Sequence, residues 1–366
     1  MGPPTEGGCA HQGLLYGSPG ELLAAAVPFL RRGLAAGDAV VLACGEAGNA
    51  LLVNALPDRE RGNVMLVERA EIYTRPACAV AAFRRIVRAG LEAGARGVRL
   101  VGEVDFGAEP ASWREWMRFE AIMNVALASV RLRCVCAYDT RALPGPVLDS
   151  AARTHPALLT AAGAVPSPPY TDPSAFVAGL SEAGPDPLER TPPAYRSGPV
   201  TAPGQIPALR EQLRSILAGL EVPVSRRSDL VAAVSETVVN GLLHGAPPVR
   251  LRLWADPSRL VCTIVDQGPG FDDRLLGYSP PSGDLRGGAG LWLARRSCDR
   301  VETFRPPGGF GVRLVLALPM GHGPAELEGA RARVEIIQRK TAAAGIRAAQ
   351  LRREVKRLGS SGQVPG

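Results

Sequence analysis

Ser235-Glu236-Thr237-Val238-Val239-Asn240-Gly241-Leu242-Leu243-His244-Gly245 reads as the closing turns of an amphipathic helix. Glu236 and Asn240 are four residues apart and share one helix face, while Val231, Val234, Val238 and Leu242 lie on another arc that faces a core. A carboxylate beside a carboxamide oxygen suits a hard cation and an activated hydroxyl, because Mg²⁺ takes few protein oxygens and keeps water and phosphate ligands. Two glycine-rich turns follow. Asp266-Gln267-Gly268-Pro269-Gly270 comes directly after an apolar run. There the glycines let backbone approach a ligand, and the carboxylate can accept from an exocyclic amine such as that of adenine. Gly287-Gly288-Ala289-Gly290-Leu291 opens a helix, whose free N–H groups and dipole favour an anion. Each turn alone is a weak signal; the three in this order are a strong one.

Around these segments the pattern reads helix, helix, then strand pairs. Helices are expected at Ile206–Gly219 and Arg226–His244, and a hairpin at Val249–Trp254 and Arg259–Asp266 across Asp256-Pro257-Ser258. A further helix is expected from about Gly290 to Cys298, then strands at Val301–Phe304 and Gly311–Leu318. Helices on one face of a mixed sheet make a two-layer α/β sandwich. Upstream, eleven prolines lie between Val165 and Pro207. That density excludes a continuous helix or a central strand and marks a boundary.

Before the boundary, apolar runs at Ala39–Cys44, Asn63–Val67, Val98–Val104 and Leu132–Tyr138 alternate with helical patterns. Those helices fall at about Ser18–Ala36, Ala47–Ala55, Pro76–Gly94 and Ala111–Ser129. This alternation predicts a mostly parallel sheet covered by helices, with ligands beyond the carboxyl ends of the strands. Gly45–Glu46, Glu68, Glu103 with Asp105, and Asp139 stand at those ends.

The chain has 366 residues and a net charge of +7. Residues 331–366 carry nine Lys/Arg and two Glu, so that charge sits entirely in the tail. The body lacks the electrostatic footprint of a nucleic-acid binder. The only lysines are Lys340 and Lys356, which excludes a P-loop and any catalytic lysine in the body. The seven scattered cysteines suit a reducing compartment. Cys134 and Cys136 are expected to be buried structural thiols on one strand face. No apolar run is long enough to span a membrane, and the first residues have no basic and apolar leader pattern, so a cytoplasmic address is expected. A heptad-like spacing after residue 320 predicts a basic helical tail.

Residues 205–319 resemble the GHKL (Bergerat-fold) ATPase superfamily. Glu236 and Asn240 stand for its N box, and Asp266–Gly270 and Gly287–Gly290 for its glycine boxes. Ser-Glu-x-x-x-Asn-x-x-x-His-Gly is most similar to anti-sigma-factor serine kinases. The resemblance implies Glu236 as general base on an acceptor serine and Asn240 as the Mg²⁺ ligand. It implies Asp266 as the adenine reader, and His244, Gly245, Gly268, Gly270, Gly287, Gly288, Gly290 and Leu291 as the nucleotide cradle. ATP and Mg²⁺ are the implied cofactors, and a sigma factor and its antagonist protein the implied partners. One departure is Gly309-Phe310-Gly311-Val312, where the family often carries a nucleotide-contacting threonine before its last strand.

Residues 9–165 resemble the MEDS sensory domain, a RecA-like fold without a phosphate loop. The matching residues are His11, Gly102-Glu103, Glu120 with Asn124, Cys136-x-Tyr138-Asp139 and Arg153-Thr154-His155-Pro156. His11, Glu103, Tyr138, Asp139 and His155 are the implied candidates for a small-molecule signal. The expected organisation is a sensory domain at 9–165, a proline-rich linker at 166–204, an ATPase/kinase domain at 205–319 and the tail at 320–366. A signal-responsive anti-sigma kinase is the first expectation, with no direct nucleic-acid or membrane partner and with a homodimer left open. A sensor histidine kinase and a non-catalytic ATP-gated binding module are the alternatives.

Overall fold

The computed structural model describes residues 8–108, 110–180, 184–220, 222–279 and 289–318. The basic tail, Gly287 and Gly288 therefore lie outside the described residues. The chain divides into two compact units, Met1–Ala183 with Phe271–Arg296, and Gly184–Gly270 with Ser297–Gly366. Among the described residues, no helix is long and apolar enough to cross a membrane.

The first unit is built on seven strands: β1 (Ala10–Tyr16), β2 (Ala39–Ala43), β3 (Val64–Leu66), β4 (Val98–Gly102), β5 (Leu132–Asp139), β6 (Ala157–Thr160) and β7 (Gly163–Pro166). Their order is β3-β2-β4-β5-β1-β6-β7. All neighbours are parallel except the terminal β6–β7 pair. The near-continuous apolar runs follow from burial on both faces. Val40, Leu42, Val101 and Val135 point into one core, packed with the helix Pro19–Ala36. Val41, Leu100, Cys134 and Cys136 point into the other, with helices Pro76–Glu92 and Pro110–Ala126. The Pro19–Ala36 helix has the ends its sequence dictates. The Ser18 hydroxyl accepts from the Glu21 N–H at 3.2 Å, Pro19 fills the first turn, and Gly37 closes it at φ 76°.

The strands read from the sequence are present, each within about two residues of the expected bounds. The β6–β7 hairpin was not among the expected elements; its strands are four residues each and too short for an alternation to register.

The second unit is a five-stranded sheet of β8 (Tyr195–Arg196), β9 (Arg250–Ala255), β10 (Arg259–Asp266), β11 (Arg300–Phe304) and β12 (Phe310–Ala317), in the order β11-β12-β10-β9-β8. Every pair is antiparallel, so the expectation of a mixed sheet is corrected. Two of the pairs, β9–β10 and β11–β12, are hairpins of consecutive strands, and a short hairpin connection can only pair its strands antiparallel. Helices Ile206–Gly219 and Val224–Leu243 cover one face. The Arg210 guanidinium donates to Ser235 Oγ at 2.8 Å, and Ser235 donates in turn to the Val231 carbonyl, tying the two helices together.

The proline-rich stretch obeys its exclusion but is not structureless. It supplies the two-residue edge strand β8, the short helix Pro173–Gly179 and a 3₁₀ turn at Pro187–Arg190. An edge strand and a first helical turn are the positions that tolerate proline. The 3₁₀ turn straps the outer face of the second sheet. Leu188 packs on Trp254, Val261 and Val315, and Trp254 Nε1 donates to the Thr191 carbonyl at 2.9 Å. Arg313 lies almost fully buried on β12 and is held by Glu189 and by Glu302, the latter at 2.8 Å. Asp186 accepts from Arg259 at 3.0 Å and from Arg300 at 3.2 Å.

Burial alone would raise the Asp186 pKa, but the Leu188 N–H and the two guanidinium groups outweigh it and hold the carboxyl below its ordinary range. A carboxyl with a depressed folded pKa adds stability above its unfolded pKa, near 4, and loses it as pH falls through the folded value. Chemical denaturation between about pH 6 and pH 2 is therefore expected to show stability falling with acid. Asp186→Asn should lower stability at pH 6 and flatten that fall; an unchanged pH profile would show that the strap carries no linkage.

Candidate functional site

The site grows from the contact between the end of one helix and the end of one strand. In the helix Val224–Leu243, the residues Leu230, Val231, Ala233, Val234 and Val238 are buried. That fixes the helix's rotation and leaves Glu236 and Asn240 half-buried on an adjoining arc. Neither side chain is packed into hydrocarbon, as a cation- or hydroxyl-facing pair requires. The helix ends where the His244 and Gly245 N–H groups both donate to the Asn240 carbonyl, at 2.8 and 3.3 Å. The His244 side chain is exposed there.

Beyond that turn the backbone meets the end of β10. The Gln267 N–H donates to the Ala246 carbonyl at 2.8 Å. Asp266 Oδ1 accepts from the Gly268 N–H at 2.7 Å and from the Ala246 N–H at 3.4 Å. Glycine is required on both sides of this contact. A Cβ at Gly245 would stand 2.4 Å from Asp266 Oδ1, and one at Gly268 would stand 2.5 Å from the Gly245 Cα. A Cβ at Gly241 would be 3.3 Å from Asp266 Oδ2. With Oδ1 engaged by backbone, Oδ2 has no hydrogen-bond donor among the described residues and retains its capacity to accept from a ligand. Asp266 is 9 % exposed.

Gly270 has φ 69°, and a Cβ there would stand 2.0 Å from the Phe310 ring. Gly309 lies against the Asp266 carbonyl, with 2.1 Å left for a Cβ. The missing threonine thus has a steric reason if its position is Gly309: in this backbone the residue before β12 has no room for a side chain. Seven expected residues, Glu236, Asn240, His244, Gly245, Asp266, Gly268 and Gly270, fall on this helix end, strand end and turn. Gly290 and Leu291 lie on the helix Ala289–Ser297 and cluster with the first unit. In that unit Tyr278 is buried, donates to Glu115 at 3.3 Å and accepts from Arg295 at 2.8 Å.

The sensory candidates separate into two groups. Glu103 and Asp139 occupy strand ends and are spoken for. Glu103 accepts from the Tyr16 hydroxyl at 3.0 Å and the Gly45 N–H at 2.9 Å, while Asp139 pairs with Arg141 at 2.7 Å. The Arg141 side chain holds the Asp139 carboxyl below its ordinary range. His11, Tyr138 and His155 come together inside the unit. The two imidazoles are tilted by 44° with centroids 4.1 Å apart, and Tyr138 meets His155 edge-on. Between them stand two residues that were not among the expected site residues, Glu120 and Cys136. The signal existed, since both sit in the segments that carry the MEDS resemblance. Cys136 was expected to be a structural thiol because its partners are 16 to 125 residues away in sequence. Burial and then the neighbouring His155 push the His11 pKa below its ordinary range. Burial alone would raise that of Glu120, but the facing His11 and His155 rings outweigh it and bring it down.

Comparison with known families finds two matches along the chain. Residues 10–156 match the MEDS family model, described as the MEthanogen/methylotroph, DcmR Sensory domain. Residues 200–316 match the histidine kinase-like ATPase domain model. The chain therefore carries an N-terminal MEDS domain and a C-terminal ATPase domain of the histidine-kinase-like, GHKL type. A search of curated proteins finds no match. Among solved structures, the crystal structure of the RsbU and RsbW domains of Rv1364c from Mycobacterium tuberculosis is similar at 22 % identity and a TM-score of 0.27. The match covers 35 % of this chain and 33 % of that one, so the chain spans about a third of that structure.

Gly245→Ala tests the helix–strand contact directly. Overpacking of this kind should destabilise the folded chain by about 1–3 kcal/mol, read by urea unfolding, while Gly204→Ala, with nothing within 4 Å of its Cβ, should leave the midpoint nearly unmoved.

Proposed function

We propose that this protein is a signal-responsive regulator whose C-terminal domain binds Mg·ATP and phosphorylates a serine of an antagonist protein, releasing or holding a sigma factor according to the signal. The observation that carries the reading is the Asn240–Gly245 turn seated on Asp266, with Glu236 one turn back on an accessible face. The match to a histidine kinase-like ATPase model supports ATP as the nucleotide, and the Ser-Glu-x-x-x-Asn-x-x-x-His-Gly resemblance supports serine as the acceptor. The expected setting is the cytoplasm.

The residues present fit the nucleotide. A purine would enter where Asp266 Oδ2 is open to its amine, against a wall that Gly245 and Gly268 keep free of side chains. Asn240 offers a neutral oxygen for Mg²⁺ beside the phosphates. The ion supplies charge neutralisation across the transferring phosphoryl group. Glu236 is positioned to take the proton of an incoming serine hydroxyl as its oxygen bonds to the γ-phosphorus and the bond to ADP breaks. The family resemblance alone assigns the phosphate side to Gly287, Gly288, Gly290 and Leu291, of which Gly287 and Gly288 lie outside the described residues.

A non-catalytic, ATP-gated binding module is the second reading, favoured by the crowded Gly309 position that denies the family's threonine contact. A sensor histidine kinase has less support, because the described residues before the ATPase domain form the short helix Pro173–Gly179, β8 and 3₁₀ turns at Pro187–Arg190 and Pro203–Gln205, and among them there is no pair of long helices carrying an acceptor histidine.

The kinase and module readings part on Glu236→Gln. The kinase reading expects Mg-dependent ATP affinity to stay within about threefold of wild type, while phosphate transfer to the antagonist falls by at least 100-fold. Asn240→Ala should lose Mg-dependent affinity itself. Equal ATP binding by wild type and variant with no transfer by either would leave the gated module.

A further inference from the structure

We infer that the buried His11–Glu120–Cys136–His155 cluster of the MEDS domain is a binding site for a borderline-soft divalent transition-metal ion, with Zn²⁺ the best fit. The inference stands independently of the nucleotide reading.

The four residues come from four separate elements: β1, the helix Pro110–Ala126, β5, and the residue closing the helix Gly145–Thr154. All are buried, with Glu120 and His155 at 0 % exposure. Their donor atoms lie within 4.8 Å of one another. Glu120 Oε2 is 3.1 Å from His11 Nε2, 3.4 Å from Cys136 Sγ and 3.4 Å from His155 Nε2, and His11 Nε2 is 3.3 Å from Cys136 Sγ. A tetrahedral ion with bonds of about 2.0–2.3 Å holds its ligand atoms roughly 3.3–3.7 Å apart, close to the four separations just given and within reach of small side-chain adjustments for the remaining two, which do not exceed 4.8 Å.

Hydrogen bonding shows which atoms face the centre. Asn124 Nδ2 points at the backbone carbonyls of Glu120, Ala121 and Thr154. Its Oδ1 is thereby turned toward His11 Nδ1 at 3.2 Å and can only accept. His155 Nδ1 lies 2.7 Å from the Ala151 carbonyl, again an acceptor only. Both imidazoles therefore carry a proton on Nδ1, and both Nε2 atoms look inward. An outer partner on Nδ1 is the arrangement that orients a metal-ligating histidine. The centre of the cluster is then two imidazole lone pairs, a carboxylate and a thiol facing one another out of water.

One additional proton could join His11 to Glu120. It would still leave His155 Nε2 and Glu120 Oε1 among the buried polar atoms that lack any hydrogen-bond partner, a costly state in a dry interior. A divalent cation satisfies the inward donors together, the thiol proton passing to solvent as the thiolate binds. Nitrogen, sulfur and carboxylate donors in a closed four-residue shell select zinc over Mg²⁺ or Ca²⁺, which take oxygen ligands. Gly13 contributes room: a Cβ there would press on the His155 ring at 3.2 Å.

The test is made on the full-length chain, stripped with a chelator and titrated with Zn²⁺ and with Co²⁺ as a spectroscopic probe. The expected result is about one equivalent of tightly held metal and a thiolate-to-cobalt charge-transfer band that Zn²⁺ abolishes. Cys136→Ser should remove the band and His155→Gln should weaken Zn²⁺ binding at least 100-fold, whereas Cys44→Ser, outside the cluster, should retain both. Circular dichroism identifies a variant that has merely unfolded, and the wild-type titration decides the matter without any variant. Absence of both stoichiometric Zn²⁺ and the cobalt band in folded wild-type protein overturns the inference, as does a band that survives in Cys136→Ser.

Discussion

The C-terminal half depends on one close approach: the last turn of the helix Val224–Leu243 against the carboxylate that ends β10. Two backbones can meet this tightly only where neither carries a Cβ, and Gly245 and Gly268 meet that condition from opposite sides. The consequence reaches beyond packing. The same contact commits one oxygen of Asp266 to backbone N–H groups, leaves the other without a donor among the described residues, and fixes how far Glu236 and Asn240 stand from it along the helix. Hydrophobic burial of Val231, Val234 and Val238 supplies the rotation; the glycines supply the distance.

The N-terminal half is organised around a different constraint. A parallel sheet covered on both faces leaves little room for water, so any polar group inside it must find partners or remain costly. Most do. Within the His11–Glu120–Cys136–His155 cluster, His155 Nε2 and Glu120 Oε1 do not, and the four residues come from elements that no local interaction would gather. Unpartnered buried polar atoms of this kind are the exception in folded proteins and call for a physical reason.

The sequence was readable where chemistry is local. Helix faces at Glu236 and Asn240, the glycines after β10, the Ser18 cap and the proline exclusion at 165–207 all follow from spacing over a few residues, and the structure has them. The short hairpin β6–β7 and the edge strand β8 left no trace, because two to four residues carry no periodicity. The antiparallel character of the second sheet was missed for a related reason: strand direction depends on pairing, which composition does not encode. Cys134 and Cys136 are buried on one strand face, as their spacing implies. That Cys136 also meets His11 and Glu120 was not legible, because those neighbours in space are distant in sequence.

Amide hydrogen exchange on the full-length chain, with and without Mg²⁺ and a non-hydrolysable ATP analogue, tests the central claim most directly. The account predicts slowed exchange in peptides covering residues 236–246 and 266–270 on addition of the two together. Saturating nucleotide that leaves both segments unchanged would contradict it.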